Sequence, residues 1–248
     1  MKFVLLILRK IWRVLFYVNA ALTFLLFFPF FFILLQREAW FPLVFRLKKV
    51  WGSLMLYDVG IFYSVKYETT LDKNRAYVFC PNHTSYLDII LSYLVISQYF
   101  HSMGKSELKK VPLFNIFFKR MNIAVDRGSI MDSHRAFVRA ASDIDKGISI
   151  SIFPEATIRE QAPQLGRFKN GPFKLAIDKQ VPIVPITFKN NWKILPDGRK
   201  SKNGGSPGIA RVVVHKPIET KGMTDDDVVS LRNRVFDIIN DTLREEGV

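Results

Sequence analysis

In Asn82-His83-Thr84-Ser85-Tyr86-Leu87-Asp88 an imidazole and a carboxylate stand five positions apart. An imidazole can take a proton from a hydroxyl near neutral pH. A carboxylate beside it fixes the ring tautomer and raises its basicity, which is the orienting half of a base dyad. On one continuous helix the two side chains would point about 140° apart. They can meet only if a turn lies between them. The apolar run Tyr77-Val78-Phe79-Cys80 reads as a buried strand, Pro81-Asn82 as a bend, and Ser85 as the start of a helix. Asp88 would then fall in the first helical turn, where the macrodipole favours its ionised form. Two blander readings stand beside this one. Ser85 followed three positions later by Asp88 is also a capping pattern, and a single loop histidine is more often structural than catalytic. The surrounding elements must decide.

From about residue 60 onward, short apolar strands alternate with amphipathic helices. Strands are expected at Phe62–Tyr67, Ala76–Cys80, Asn122–Val125, Ile148–Phe153, Ile183–Phe188 and Ala210–His215. Helices are expected at Ser85–Val95, Asp132–Asp145, Lys169–Lys179 and Asp225–Arg244, the last with Thr224 as N-cap and three Asp in its first turn. Such alternation predicts an α/β fold: a mostly parallel or mixed central sheet covered by helices. Open α/β sheets place their chemistry at strand C-termini. Ala76–Cys80 runs into His83, Asn122–Val125 into Asp126-Arg127-Gly128, and Ile148–Phe153 into Pro154-Glu155-Ala156-Thr157-Ile158-Arg159. The topology would therefore bring the dyad, Arg127, Glu155 and Arg159 to one edge. Residues 196–208, rich in Gly, Pro, Lys and Ser, read as a mobile surface loop.

The chain has 248 residues, 36 Lys and Arg against 22 Asp and Glu, a formal net charge of +14, and 22 Phe. That balance fits a nucleic acid, a membrane surface or an acidic substrate as partner. The N-terminus selects the membrane. Val14 to Leu35 carries no charge and would make a helix about 33 Å long, enough to span a bilayer core. It is too long for a signal peptide's apolar region, and no small-residue cleavage site follows. A second helix is expected over 40–57, where Trp40, Phe41, Phe45, Trp51 and Tyr57 mix with Arg46, Lys48 and Lys49, a pairing that suits the headgroup level. Cations flank the apolar run on both sides, so charge gives no strong orientation. The expected organisation is a two-helix membrane anchor over 1–60 and an α/β domain over 61–248. That domain would lie on the cytoplasmic face of the inner membrane, with or without a full crossing. The single Cys80 excludes an intrachain disulfide and reads as a small buried strand residue. No Cys/His cluster has metal-ligand spacing, and no nucleic-acid partner is expected.

With these residues in place, the chain resembles the 1-acylglycerol-3-phosphate acyltransferase family of membrane glycerolipid enzymes. His83 through Asp88 matches that family's H-x4-D block. Lys105-Ser106-Glu107-Leu108 followed by Pro112 resembles its K-x-E-L-x-x-x-P segment. Ile123-Ala124-Val125-Asp126-Arg127 matches the block ending in a substrate-binding Arg. Phe153-Pro154-Glu155-Ala156-Thr157-Ile158-Arg159 resembles F-P-E-G-T-R, Phe168-Lys169-Asn170-Gly171 fits F-K-x-G, and Val181–Ile186 fits the last, apolar block. The blocks cover roughly residues 76–190, in order. The chain departs from the pattern where Ala156 replaces Gly and Ile158 is inserted before Arg159, which bears on acceptor choice more than on reaction type.

The resemblance implies acyl transfer from a thioester, acyl-CoA or acyl carrier protein, to the free hydroxyl of 1-acyl-sn-glycerol-3-phosphate, giving phosphatidic acid, with no cofactor beyond the donor. It implies His83 and Asp88 as catalytic residues. It implies Lys105, Arg127, Glu155, Thr157 and Arg159 as substrate-binding residues, with the cations on the acceptor phosphate and Glu155 holding one of them in place. Part of the anchor would line an acyl groove. Another lyso-lipid acceptor remains open within the class. A serine hydrolase using Ser85 or Ser151 lacks a G-x-S-x-G elbow. A non-catalytic membrane-surface protein would explain the charge but not the ordered blocks.

Overall fold

The computed structural model describes residues 2–126, 128–158, 161–197 and 202–245. Two long helices come first, α1 (Lys2–Leu34) and α2 (Phe41–Tyr57). The α/β part follows with β1 (Ile61–Tyr67), β2 (Val78–Pro81), α3 (Leu87–Val95), β3 (Phe100–Lys105), α4 (Asn115–Arg120), β4 (Ile123–Val125) and α5 (Ile130–Asp145). It closes with β5 (Ser149–Ile152), α6 (Gly171–Asp178), β6 (Ile183–Phe188), α7 (Asn191–Ile194), β7 (Gly208–Val214) and α8 (Val228–Arg244). The seven strands form one mixed sheet in the order β1-β7-β6-β2-β5-β3-β4, parallel throughout except for the antiparallel pair β6–β7.

The three central strands are buried on both faces, which is why they read as near-continuous apolar runs. Alternation of the pleat divides β2: Tyr77 and Phe79 point into one core, Val78 and Cys80 into the other. The first core is closed by α1, α2, α3 and α4, the second by α5, α6 and α8. In α8 the buried Val228, Leu231, Val235, Ile239 and Leu243 repeat at helical spacing. Thr224 and Asp227 form a capping box before it. Strand β3 was not expected, because Phe-His-Ser-Met-Gly-Lys shows neither alternation nor high β-propensity. It forms because β5 and β4 pair with it on both sides. Gly104 is needed there, since a Cβ at that position would lie 2.9 Å from the Phe118 ring.

The expected boundary near residue 60 separates α2 from β1, yet packing runs across it. Phe31, Val44, Phe45, Met55 and Leu56 share one core with Phe79, Phe100 and Val212. Among the described residues, helix α1 alone is long and apolar enough to cross a membrane. It nevertheless lies against the domain along its length. Near its N-terminus, Trp12 Nε1 donates to the Val59 carbonyl (3.0 Å), Arg13 donates to the Pro196 carbonyl, and the Gly205 N–H donates to the Arg9 carbonyl (3.0 Å). Near its C-terminus, Phe24 and Phe31 pack on Trp51 and Phe117. The opposite face, including Leu15, Leu22, Leu26 and Phe30, is exposed.

Two expectations change here. Lys48 does not face a headgroup layer. It is buried against Tyr93 and Phe117, its Nζ 3.2 Å from the Tyr93 hydroxyl, and Lys49 donates to the Ile96 carbonyl. Helical periodicity puts Lys48 on the same face as Val44, Phe45 and Met55, and that face turns to the domain. Nor is all of 196–208 a free surface loop. Gly204 and Gly205 are buried against α1, and Gly204 (φ +71) would place a Cβ 2.4 Å from the Arg9 backbone. Residues 198–201 lie outside the described residues.

Candidate active site

The turn required by the five-residue spacing is present. β2 ends at Pro81, the chain bends through Asn82–Tyr86, and α3 starts at Leu87, so Asp88 sits in its first turn. Asn82 anchors the bend to β6: its Nδ2 donates to the Phe188 carbonyl (3.1 Å) and its Oδ1 accepts the Phe188 N–H (2.7 Å). Ser85 ties the other side down, its hydroxyl donating to the Leu195 carbonyl (2.7 Å). Both Asn82 and Ser85 are fully buried. A loop fixed at both ends holds its side chains with little reorganisation, which a base needs.

Asp88 is fully buried and both its oxygens are used. Oδ2 lies 3.1 Å from His83 Nδ1 and accepts the backbone N–H groups of Thr84 and Ser85 (2.8 Å for Ser85); Oδ1 accepts from Asn191 Nδ2 (2.7 Å). Asp88 therefore does more than cap α3. The carboxylate is the hub of the bend and fixes the imidazole with Nδ1–H toward it. The ring also stacks on Phe153, with centroids 4.1 Å apart and planes at 25°. His83 Nε2 has no hydrogen-bond partner among the described residues, and the side chain keeps 11% exposure. A fixed tautomer with an accessible Nε2 is the arrangement of a general base for a hydroxyl.

Glu155 holds the main chain on both sides of the site. Its buried carboxylate accepts the His83 N–H through Oε1 (2.8 Å) and the Gly166 N–H through Oε2 (2.8 Å). It ties the histidine's backbone to the loop before α6. Burial raises its pKa, and the two backbone N–H groups offset part of that rise. Ala156, where the family pattern has Gly, sits at φ +67, in the left-handed region that costs an L-residue about 1–2 kcal/mol. Thr157 is exposed, and Lys105 is exposed at the C-terminal end of β3. The C-terminal ends of β2, β3 and β5 thus carry His83, Lys105 and Glu155 along one edge. Arg127 and Arg159 lie outside the described residues. Sequence reasoning missed Asn191 and Phe153. Asn191 is 103 positions from Asp88, and no local pattern marks it. Phe153 was recognised only as part of a block.

A chain with this fold and this dyad falls in a known class of protein. Residues 63–189 match the Acyltransferase family model, so the chain belongs to that family. The match includes His83, Asp88, Lys105 and Glu155 but not α1, α2 or Asn191. The chain is 32% identical over 177 residues to a chloroplastic 1-acyl-sn-glycerol-3-phosphate acyltransferase of Brassica napus, covering 68% of this chain and 48% of that protein. It is 27% identical over 170 residues to the 1-acyl-sn-glycerol-3-phosphate acyltransferase of Haemophilus influenzae, covering 68% of each. It spans about half the length of the plant relatives. The crystal structure of the 1-acyl-sn-glycerophosphate acyltransferase PlsC from Thermotoga maritima superposes with a TM-score of 0.79 at 20% identity, over 97% of this chain and 98% of that one. The fold is shared from the N-terminal helices onward.

Proposed function

We propose that this chain transfers an acyl group from a thioester donor, acyl-CoA or acyl carrier protein, to the free hydroxyl of 1-acyl-sn-glycerol-3-phosphate, forming phosphatidic acid. The observation that carries the reading is the buried Asp88 carboxylate on His83 Nδ1, with Nε2 open at the sheet edge. The acceptor hydroxyl gives its proton to Nε2 as its oxygen attacks the thioester carbonyl, and Asp88 stabilises the imidazolium that results. The tetrahedral intermediate collapses by breaking the C–S bond. The imidazolium then returns its proton to the departing thiolate, so no covalent enzyme intermediate is required. A positioned base of this kind contributes about 10²–10⁴-fold.

The acceptor phosphate is assigned to Lys105, Arg127 and Arg159, with Arg giving bidentate contacts and Thr157 a hydroxyl donor. Glu155 is assigned as a positioning residue for the His83 backbone. The protein is assigned to the membrane surface, with α1 lying in the interface and the α/β part on the cytoplasmic face. Contacts from Arg9 to Phe31 hold α1 against the domain, while its other side presents apolar residues that suit acyl chains.

The test is a panel of lyso-lipid acceptors offered to the purified full chain with labelled acyl-CoA and labelled acyl carrier protein. 1-Acyl-sn-glycerol-3-phosphate is expected to be used best, and His83→Ala is expected to lose turnover while keeping expression and membrane association. Appreciable turnover by that variant would refute the base assignment. Preference for an uncharged lyso-acceptor would refute the phosphate site.

A further inference from the structure

A cleft of about 810 Å³ opens at the opposite edge of the sheet from His83. Tyr99 and His101 at the start of β3, Ile148 just before β5, and the end of α4 just before β4 all border it. His101 in the cleft wall and Lys105 at the reacting end are four residues apart on β3, about 13 Å along the strand. None of the residues lining the cleft is among those assigned to the acceptor, so the two sites are distinct.

Five cations border the cleft: Lys119 and Arg120 from α4, and Arg135, Arg139 and Lys146 on or just after α5. Arg139 is held by the Arg120 and Met121 carbonyls (3.3 and 3.0 Å), and Arg135 leans on exposed Asp132 (3.3 Å). Lys119, Arg120 and Lys146 are exposed and have no ion-pair partner among the described residues. Two acids also line the cleft: exposed Glu38, and Asp143, which is already engaged, with His101 Nδ1 2.8 Å from it and His101 Nε2 2.7 Å from the Tyr99 hydroxyl. That buried relay gives the cationic rim a fixed polar wall. Five cations against the two lining acids, one of them already bound to His101, leave a net positive rim, and an anion relieves the repulsion within it.

The remaining rim identifies the kind of anion. Ala39 lies in the turn between α1 and α2, and Phe41 and Pro42 open α2. Beside it Arg37 lies over the Trp40 ring (5.0 Å), and Phe30, Phe32, Ile33 and Leu43 are exposed. An aromatic–cation pair with flanking apolar side chains is what a bilayer interface receives. We propose that this cleft holds the phosphate headgroup of an anionic phospholipid, giving the chain a second phosphate site at the far end of α1. This rests on the membrane-surface assignment above but not on the acyl-transfer step.

The experiment is co-flotation of the full chain with vesicles of phosphatidylcholine alone or doped with phosphatidylglycerol. Basic residues at an anionic surface act additively. The triple variant Lys119→Gln/Arg120→Gln/Lys146→Gln is therefore expected to lower partition onto the doped vesicles about 100-fold. Partition onto the neutral ones, and turnover with detergent-dispersed acceptor, should change less than twofold. An equal loss in a control triple far from the cleft, Lys216→Gln/Lys221→Gln/Arg234→Gln, would overturn the proposal in favour of general charge. Displacement from doped vesicles by soluble glycerol 3-phosphate at equal phosphate concentration would overturn the lipid source in favour of a free phosphate. Unchanged partition with turnover lost only for acyl carrier protein donors would replace the lipid with an acidic protein. A wild-type chain that floats as expected but transfers no acyl group would refute the proposed function and leave this site standing.

Discussion

Replacing Asp88 in two ways separates its structural from its chemical work. Its carboxylate receives His83, the Thr84 and Ser85 N–H groups and the Asn191 amide. Asp88→Ala strands all four donors; the three fully buried ones, the Thr84 and Ser85 N–H groups and the Asn191 amide, cost about 1–3 kcal/mol each, so a stability loss of about 3 kcal/mol or more is expected. Asp88→Asn is different. Its carbonyl can take the Oδ2 place and keep His83 Nδ1–H and both backbone donors. Its NH2 then faces Asn191, whose own Oδ1 is buried without a partner among the described residues and becomes available as an acceptor if that amide flips. The asparagine variant should therefore melt within a few degrees of wild type. What it loses is the charge that stabilises the imidazolium. Two unit charges about 4 Å apart at an effective dielectric near 20 interact by about 4 kcal/mol, which corresponds to a turnover loss of about 10³-fold. Differential scanning fluorimetry and steady-state acyl transfer on both variants make the comparison. An Asp88→Asn enzyme within tenfold of wild-type turnover, or one as unstable as Asp88→Ala, would refute this division of labour.

Lys48 gives a pH prediction. Burial lowers its pKa from 10.5 to about 7, so the folded chain binds fewer protons than the unfolded chain between those values. Stability should rise with pH across that window by up to about 1.4 kcal/mol per unit and be lost as pH falls toward 7. Lys48→Met, similar in size and next to Met121, should flatten that slope and stabilise the protein at pH 7, as chemical denaturation at several pH values will show. Ala156→Gly should stabilise by about 1 kcal/mol by relieving φ +67, with donor and acceptor preference as the second readout. Glu155→Ala should cost about 2 kcal/mol or more by stranding the His83 and Gly166 N–H groups. It should also lower kcat more than it raises the acceptor KM, whereas a cation-holding role would move KM first. Arg127→Ala should mainly raise the acceptor KM; a change in donor use would contradict the phosphate assignment.

Local sequence determined the parts whose physics is local. The bend between His83 and Asp88 follows from a strand, Pro81 and a helix start within ten residues. The central strands declared themselves because burial on both faces demands unbroken apolar runs, and Ile183–Phe188 appears with the bounds expected. α8 was legible from its cap and its periodicity. The sequence also marked α1 as apolar enough for a membrane. Tertiary structure decided whatever depends on residues far apart in the chain. β3 is a strand because its neighbours pair with it, not because its residues favour one. Lys48 is buried because the face it shares with Val44 and Met55 meets Phe117. Asn191 reaches Asp88 only because β6 lies beside β2. The placement of α1 along the domain rests on contacts from Arg9 to Phe31, and hydropathy carries no record of what a helix leans against.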